Sequence, residues 1–152
     1  MTTHAASPYR VLPTDEIRVD AHDKVSGRMK YTADLHRPNE LWAAFAKSPY
    51  AYAKIVRIDT SAARAVQGVK AVLTADDIGH PLMGRNMQDW PVLASGVVRY
   101  IGERVVAVAA ESQQAAQEAA AIVDVTYEEL APVLSPAAAL APDAPILHPD
   151  RN

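Results

Sequence analysis

The chain has 152 residues, 49% of them hydrophobic and 22% charged, a balance typical of a folded domain rather than a disordered segment. Its formal net charge of −3, with lysines and arginines scattered along the chain, excludes the clustered basic surface that nucleic-acid binding requires. The sequence has no cysteine, which excludes disulfides, thiolate nucleophiles and cysteine-ligated zinc or iron–sulfur centres within it.

The N-terminal region comes first in chain order. Residues 1–17 contain two prolines and no regular apolar spacing, which predicts an extended arm. They lack the apolar core of a signal peptide, and no apolar stretch reaches the ~20 residues of a membrane span. We therefore expect a cytoplasmic protein with no membrane span. After the arm, Gly27 predicts a turn, and the alternation at Met29 and Tyr31 predicts a short strand.

Two strands are predicted next. Leu41–Lys47 is apolar on both faces, whereas residues 51–59 alternate, with Ala53 and Ile55 on one face. Because only a turn at residues 48–51 separates them, we expect these two strands to pair with each other.

Two later segments each predict a strand, a helix and a second strand. In the first, Asp59 or Thr60 caps a helix that ends at Gly68, and residues 69–74 form the strand after it. In the second, Arg104–Ala110 is apolar at nearly every position, the pattern of a strand covered on both faces.

The second unit continues with a helix capped by Ser112 and extending over Gln113–Ala121, followed by a half-buried strand at residues 123–128. The helix residues expected to face a sheet are Ala115, Ala119 and Ile122. The predicted fold class is α+β (mixed α/β), with two strand–helix–strand units and a mixed sheet. We place this domain at residues 18–140.

The segment 79–90 has no periodicity, yet it contains Met83, Met87 and Trp90. Long loops that keep bulky apolar residues are often functional or packed on a neighbour. Two interpretations stay open. The side chains fill the core of this domain or of a neighbour, or they line an apolar passage to a site on another domain.

No set of side chains in the sequence forms a complete active site. The five histidines lack the spacing of metal ligands, and the glycine motifs of phosphate-binding loops are absent. Glu103 stands near Arg99 and Arg104 at the start of a strand, a position that favours an ion pair or a turn over acid–base catalysis. Further on, Ser135 starts a short helix, and residues 141–152 predict a Pro-rich linker.

Five collinear segments carry a further signal: KVSGRMKYTADL, AKSPYAYAKIVRIDTSAA, GVKAVLTADDI, VRYIGERVVAVAAES and VDVTYEELAPV. In this order they resemble the large subunit of the molybdenum hydroxylases, the family of xanthine dehydrogenase, aldehyde oxidase and aerobic carbon monoxide dehydrogenase. The resemblance spans about residues 18–148 and corresponds to the family's N-terminal α/β hammerhead domain. Tyr50 and Tyr52 stand where that family most often has histidines.

This resemblance implies a larger enzyme that hydroxylates aldehydes or N-heterocycles with oxygen from water. In that family the molybdenum–pterin cofactor and the catalytic glutamate belong to longer domains that follow, and the 2Fe-2S clusters and FAD lie on other domains or subunits. It implies that this chain binds none of these cofactors and is inactive alone. Its partners are then the molybdopterin-binding part, reached through the linker at 141–152, and the FAD and iron–sulfur subunits.

The family motifs also assign roles by position. Gly102 and Glu103 match a structural turn, and the loop that partly walls the substrate funnel corresponds to Met87, Gln88, Asp89 and Trp90. A separately encoded subunit, a truncated gene product and an excised domain are all compatible with the chain's length. The alternative function is a stand-alone module of the same fold that binds a small ligand or a protein.

Overall fold

The structure, a computed structural model, describes residues 18–148, and the chain divides into two compact units, 1–38 and 39–152. The arm predicted at residues 1–17 lies outside the described residues, as do residues 149–152 of the predicted linker. The two units are therefore described one after the other.

The described part of the first unit contains a short helix, α1 (Ala21–Val25), and a 3-10 turn at Thr32–Asp34. The Asp34 carboxylate accepts a hydrogen bond of 3.0 Å from the Tyr31 backbone N–H. The strand predicted around Met29–Tyr31 is wrong: these residues pair with no strand of the described chain, and the 3-10 turn begins directly after Tyr31.

The second unit holds two three-stranded sheets and a small hairpin. Sheet A has the order β1 (Trp42–Lys47), β7 (Arg104–Ala110) and β3 (Val69–Leu73). Sheet B has the order β6 (Val97–Val98), β2 (Ala53–Asp59) and β8 (Asp124–Glu129). The hairpin pairs β4 (Leu82–Met83) with β5 (Trp90–Pro91). Each of these pairings is antiparallel, so the mixed sheet expected from the sequence is not found among them.

The helices of this unit are α2 (Ser61–Ala65), α3 (Gln113–Ala121) and α4 (Pro136–Ala139). Both predicted strand–helix–strand units are present, as β2–α2–β3 and β7–α3–β8. Each unit leads from one sheet to the other, which explains why neither places parallel strands side by side. The predicted caps are also present: the Ser112 and Ser135 hydroxyls each accept a backbone hydrogen bond of 3.1 Å.

The predicted pairing of β1 with β2 is wrong. β1 pairs with β7 from Trp42 opposite Ala110 to Lys47 opposite Arg104, and β2 lies in the other sheet. The chain leaves sheet A at Ser48, whose N–H donates to the Glu103 carbonyl and whose carbonyl accepts from the Gly102 N–H, both at 2.8 Å. These two bonds hold the turn against β7 and direct the following residues into sheet B.

The core consists of valines and alanines between α3 and sheet A, with side chains of sheet B packed against them. In α3 the buried residues are Ala116, Ala119 and Ala120. Of the three helix residues predicted to face a sheet, Ala119 is buried and Ala115 is half-buried. Ile122 is 44% exposed, because the helix ends one residue before it.

Candidate functional site

The β4–β5 hairpin begins within the segment 79–90, for which the sequence predicted no regular structure. Leu82 pairs with Pro91 and Met83 with Trp90. The bend between the strands depends on Gly84, which has φ 151°: a Cβ atom there would lie 1.6 Å from the Met87 carbonyl oxygen. The hairpin was missed because strands of two residues have too few positions to show alternation.

The hairpin presents the residues predicted to line a substrate channel. Met87 is 66% exposed and Trp90 51% exposed, Gln88 is exposed, and Asp89 is half-buried. The indole N–H of Trp90 donates to the Tyr100 hydroxyl at 2.9 Å. This bond attaches the hairpin to the turn that contains Gly102 and Glu103.

A cavity of about 260 Å³ lies between the hairpin and that turn. Its lining includes Asp89, Trp90, Arg99, Tyr100, Glu103 and His148. The structure thus brings Asp89 and Trp90 together with Glu103, while Met87 and Gln88 lie outside the cavity lining. The sequence did not indicate that Arg99 and Tyr100 lie beside the hairpin. That contact depends on how the hairpin and the Gly102–Glu103 turn meet in the folded chain.

Glu103 is the buried charged residue of this site, with 2% of its surface exposed. One carboxylate oxygen, Oε2, accepts a hydrogen bond of 2.5 Å from the Arg99 backbone N–H. The other, Oε1, is buried and has no hydrogen-bond partner among the described residues. Burial raises the pKa of this carboxyl, and the Arg99 N–H bond opposes that shift.

The two arginines near Glu103 in sequence direct their side chains elsewhere. The Arg99 Nε donates to the Leu147 carbonyl at 3.1 Å, and the Arg104 guanidinium lies 4.8 Å from the centre of the Phe45 ring. Of the two interpretations made from the sequence, the geometry therefore favours the turn over the ion pair. The Glu103 carboxyl thus accepts one backbone hydrogen bond within the turn while it lines the cavity.

Ser48 is a second buried polar residue that the sequence did not single out. It is 2% exposed, and its hydroxyl oxygen accepts from the Tyr50 N–H at 3.0 Å and lies 3.1 Å from the Tyr50 carbonyl. Together with its two backbone bonds to the Gly102–Glu103 turn, this makes Ser48 the junction of two loops. A Ser-Pro pair indicates a turn in a sequence, but it does not indicate which other loop the turn contacts.

Metal binding and membrane insertion can be judged for the described part of the chain. Residues 18–148 contain no group of three or more His, Cys, Asp or Glu side chains placed to hold a metal ion. No helix among them is long and apolar enough to cross a membrane.

Residues 26–131 match the family described as the aldehyde oxidase and xanthine dehydrogenase a/b hammerhead domain. The chain belongs to this family. The resemblance drawn from the five segments is thereby confirmed, and so is the hammerhead fold: the chain superimposes on carbon monoxide dehydrogenase from Oligotropha carboxidovorans with a TM-score of 0.85, at 36% identity over 90% of this chain and 17% of that one.

Two curated relatives are several times longer than the region that matches this chain. A probable xanthine dehydrogenase subunit from Bacillus subtilis is 40% identical over 90% of this chain, which covers 18% of that protein. The nicotinate dehydrogenase large molybdopterin subunit from Eubacterium barkeri is 36% identical over 95% of this chain, which covers 34% of that protein. The chain thus spans about a fifth to a third of the length of these relatives.

Proposed function

We propose that this hammerhead domain is a non-catalytic part of a molybdenum-dependent hydroxylase, where it supports the molybdopterin-binding part and walls its substrate funnel. The observation that carries the proposal is the family match over residues 26–131, together with relatives whose names include a molybdopterin subunit and a carbon monoxide dehydrogenase. The enzyme would hydroxylate a carbon of an aldehyde or N-heterocycle with oxygen taken from water.

The non-catalytic role is supported by the hydrogen bonding of Glu103, the buried carboxyl of the cavity lining. Glu103 is buried and bonded to a backbone N–H, so it holds the turn with Gly102, whose φ of 88° suits glycine. A catalytic base must reach the proton that it removes, directly or through one water. We therefore keep Gly102 and Glu103 as a structural turn.

The cofactors and partners follow from the same proposal. The molybdenum–pterin cofactor is held by the molybdopterin-binding part of the enzyme, and the 2Fe-2S clusters and FAD by further domains or subunits. The activity of the whole enzyme needs these groups, whereas this chain contributes a surface and a loop.

The test is to purify the chain alone and together with the molybdopterin-binding polypeptide of the same enzyme. We expect a stable complex that contains molybdenum and turns over an aldehyde or N-heterocycle, and a lone chain that does neither. Stoichiometric molybdenum on the lone chain, or turnover by it, would overturn the proposal. A chain that forms no complex but binds a small ligand would favour the stand-alone module instead.

The channel wall is tested at Trp90 in the assembled enzyme. Trp90→Ala removes an indole that is half exposed and held by Tyr100, so the funnel should widen. We expect KM to change by about tenfold for a bulky substrate, with kcat for a small aldehyde nearly unchanged, because the change touches binding and not the reacting atoms. Ile101→Ala, at an exposed residue outside the cavity lining, is the matched control. Equal kinetics for both variants would remove Trp90 from the channel.

A further inference from the structure

Sheet A is apolar on both of its faces. Its central strand β7 consists of valine and alanine at every position from Val105 to Ala110. Alternate residues of a strand point to opposite faces, so neither face of β7 carries a polar side chain along this stretch. Sheets with this pattern are normally covered on both sides by other layers of protein.

The inner face of sheet A is covered by the domain itself. Val108 pairs with Ala44 on one side and Val72 on the other, and α3 packs on all three strands. Val72 and Val108 are each 1% exposed, so the contact with α3 explains why the residues on the inner face are apolar.

The outer face of sheet A consists of two rows of paired side chains. The residues concerned are Ala43, Ala109 and Ala71 in one row, and Phe45, Ala107 and Leu73 in the other. Ala43 and Leu73 are exposed, and the other four are partly exposed. This outer face is flat, because four of its six side chains are alanines, and apolar, with the Arg104 guanidinium over Phe45 at its edge.

Among the described residues of the second unit, no element packs on the outer face, and the family relationship indicates what covers it. The relatives are about three to six times longer than the aligned region, which covers 34% and 18% of them, so those proteins contain much more polypeptide than this domain. Alanines leave room for the backbone of another element to approach closely, and Phe45 and Leu73 offer larger contacts.

We propose that the outer face of sheet A is the surface on which the molybdopterin-binding part of the enzyme packs. This inference rests on the proposed function and specifies its interface. The packing buries the two rows of apolar side chains, and it leaves the opposite side of the domain, with α2 and α3, free of that partner.

A labelling experiment tests which side is covered. Because the chain has no cysteine, single variants Ala43→Cys and Ala62→Cys place one thiol on the outer face and one on the exposed surface of α2. In the complex, maleimide should label Ala43→Cys about tenfold more slowly than in the isolated chain, because a covered thiol does not react, while Ala62→Cys should label equally in both. Site-specific labelling is read by mass spectrometry.

A charge substitution gives a second readout. Ala109→Glu should leave the thermal unfolding of the isolated chain unchanged, since its side chain meets solvent there, but should weaken the complex by at least about tenfold. Ala62→Glu is the matched control and should change neither the thermal unfolding of the isolated chain nor the affinity of the complex.

The outcomes separate this inference from the proposed function. If the wild-type chain forms a complex, and Ala43→Cys labels at the same rate in it or Ala109→Glu still binds normally, the outer face is not the interface and the proposed function stands. An isolated chain that dimerises through this face, with an unchanged complex, likewise overturns the inference. If the wild-type chain forms no complex at all, the proposed function itself fails.

Discussion

Glu103 is a carboxyl group inside the protein at a place where the chain turns into a strand. Its Oε2 receives the Arg99 N–H, and its own backbone carbonyl receives the Ser48 N–H. The residue therefore joins two loops through two oxygen atoms, each of which acts as a hydrogen-bond acceptor. A neutral acceptor of the same shape should serve this purpose equally well.

The first residue-scale prediction follows. Glu103→Gln should change the free energy of unfolding at neutral pH by less than about 1 kcal/mol, because the amide oxygen still accepts from Arg99 and no charge is buried. Glu103→Ala should cost about 2–4 kcal/mol, since it leaves the Arg99 N–H without its acceptor and opens a cavity. Urea unfolding of the three proteins measures both. Equal losses in both variants would mean that the negative charge itself stabilises the turn.

Residues whose structure depends on near neighbours were predictable. Ser112 and Ser135 cap helices through a backbone N–H three residues away. The helix predicted to end at Gly68 ends earlier, at Ala65, and Gly68, with φ 87°, lies in the turn that leads into β3. In contrast, the alternation in β2 fails near Val56, where a bulge shifts the register to β8. A bulge depends on the partner strand, so the sequence of β2 alone does not reveal it.

At the scale of elements, α3 lies close to sheet A because its buried side chains are alanines. Ala119→Leu adds three carbon atoms at a position with 0% exposure, so we expect a loss of about 1–3 kcal/mol in the free energy of unfolding. Gln114→Leu adds an apolar side chain on the exposed surface of the same helix and should change stability by less than about 0.5 kcal/mol. If Ala119→Leu is tolerated as well as its control, the helix is not in close contact with the sheet.

The β4–β5 hairpin gives an element-scale prediction of its own. At Gly84 any Cβ meets the Met87 carbonyl, whereas at Gly79, which has φ 73°, a Cβ has no atom within 4 Å. Gly84→Ala should therefore displace the Met87–Trp90 loop and release Trp90 from Tyr100, while Gly79→Ala should cost only about 1 kcal/mol of backbone strain. Tryptophan fluorescence and amide exchange across residues 80–92 measure the displacement. An unchanged hairpin in Gly84→Ala would show that the bend does not require glycine.

Strand pairing shows what an element's own sequence leaves open. The strands β1 and β2 were expected to pair because they are neighbours in the chain, yet β1 pairs with β7. Both β1 and β7 are apolar on two faces, and both β2 and β8 alternate. Matching these four strands by pattern, and not by proximity, would have paired β1 with β7 and β2 with β8.

For the whole molecule, the fold was recognisable from five motifs, whereas the candidate site was only partly so. Met87–Trp90 and Glu103 were singled out separately, but the cavity between them, with Arg99, Tyr100 and His148, requires segments about 50 residues apart to meet. The contacts of Ser48 with Gly102 and Glu103 were not predicted for the same reason.

The pH dependence of stability depends on carboxyl groups whose pKa values shift in opposite directions on folding. Hydrogen bonds from Ser61 lower the pKa of Asp59 below its ordinary 3.8, and those from Thr74 do the same for Asp77. The stabilisation from these two groups is complete above that value and is lost as the pH falls through their folded pKa values.

Glu103 acts in the other direction. Burial raises its pKa above the ordinary 4.5, although Arg99 and His148 oppose the shift, so its contribution is complete below 4.5 and is lost as the pH rises through the folded pKa. We therefore expect the free energy of unfolding, measured in urea from about pH 3 to about pH 8, to be greatest near the ordinary carboxyl values and to decline on both sides. Glu103→Gln should remove the decline on the alkaline side only, because glutamine does not titrate, whereas Glu118→Gln, at an exposed residue of α3, should leave the curve unchanged. A decline of the same size in Glu103→Gln would assign it to another group, and the buried carboxyl would then not control stability in this range.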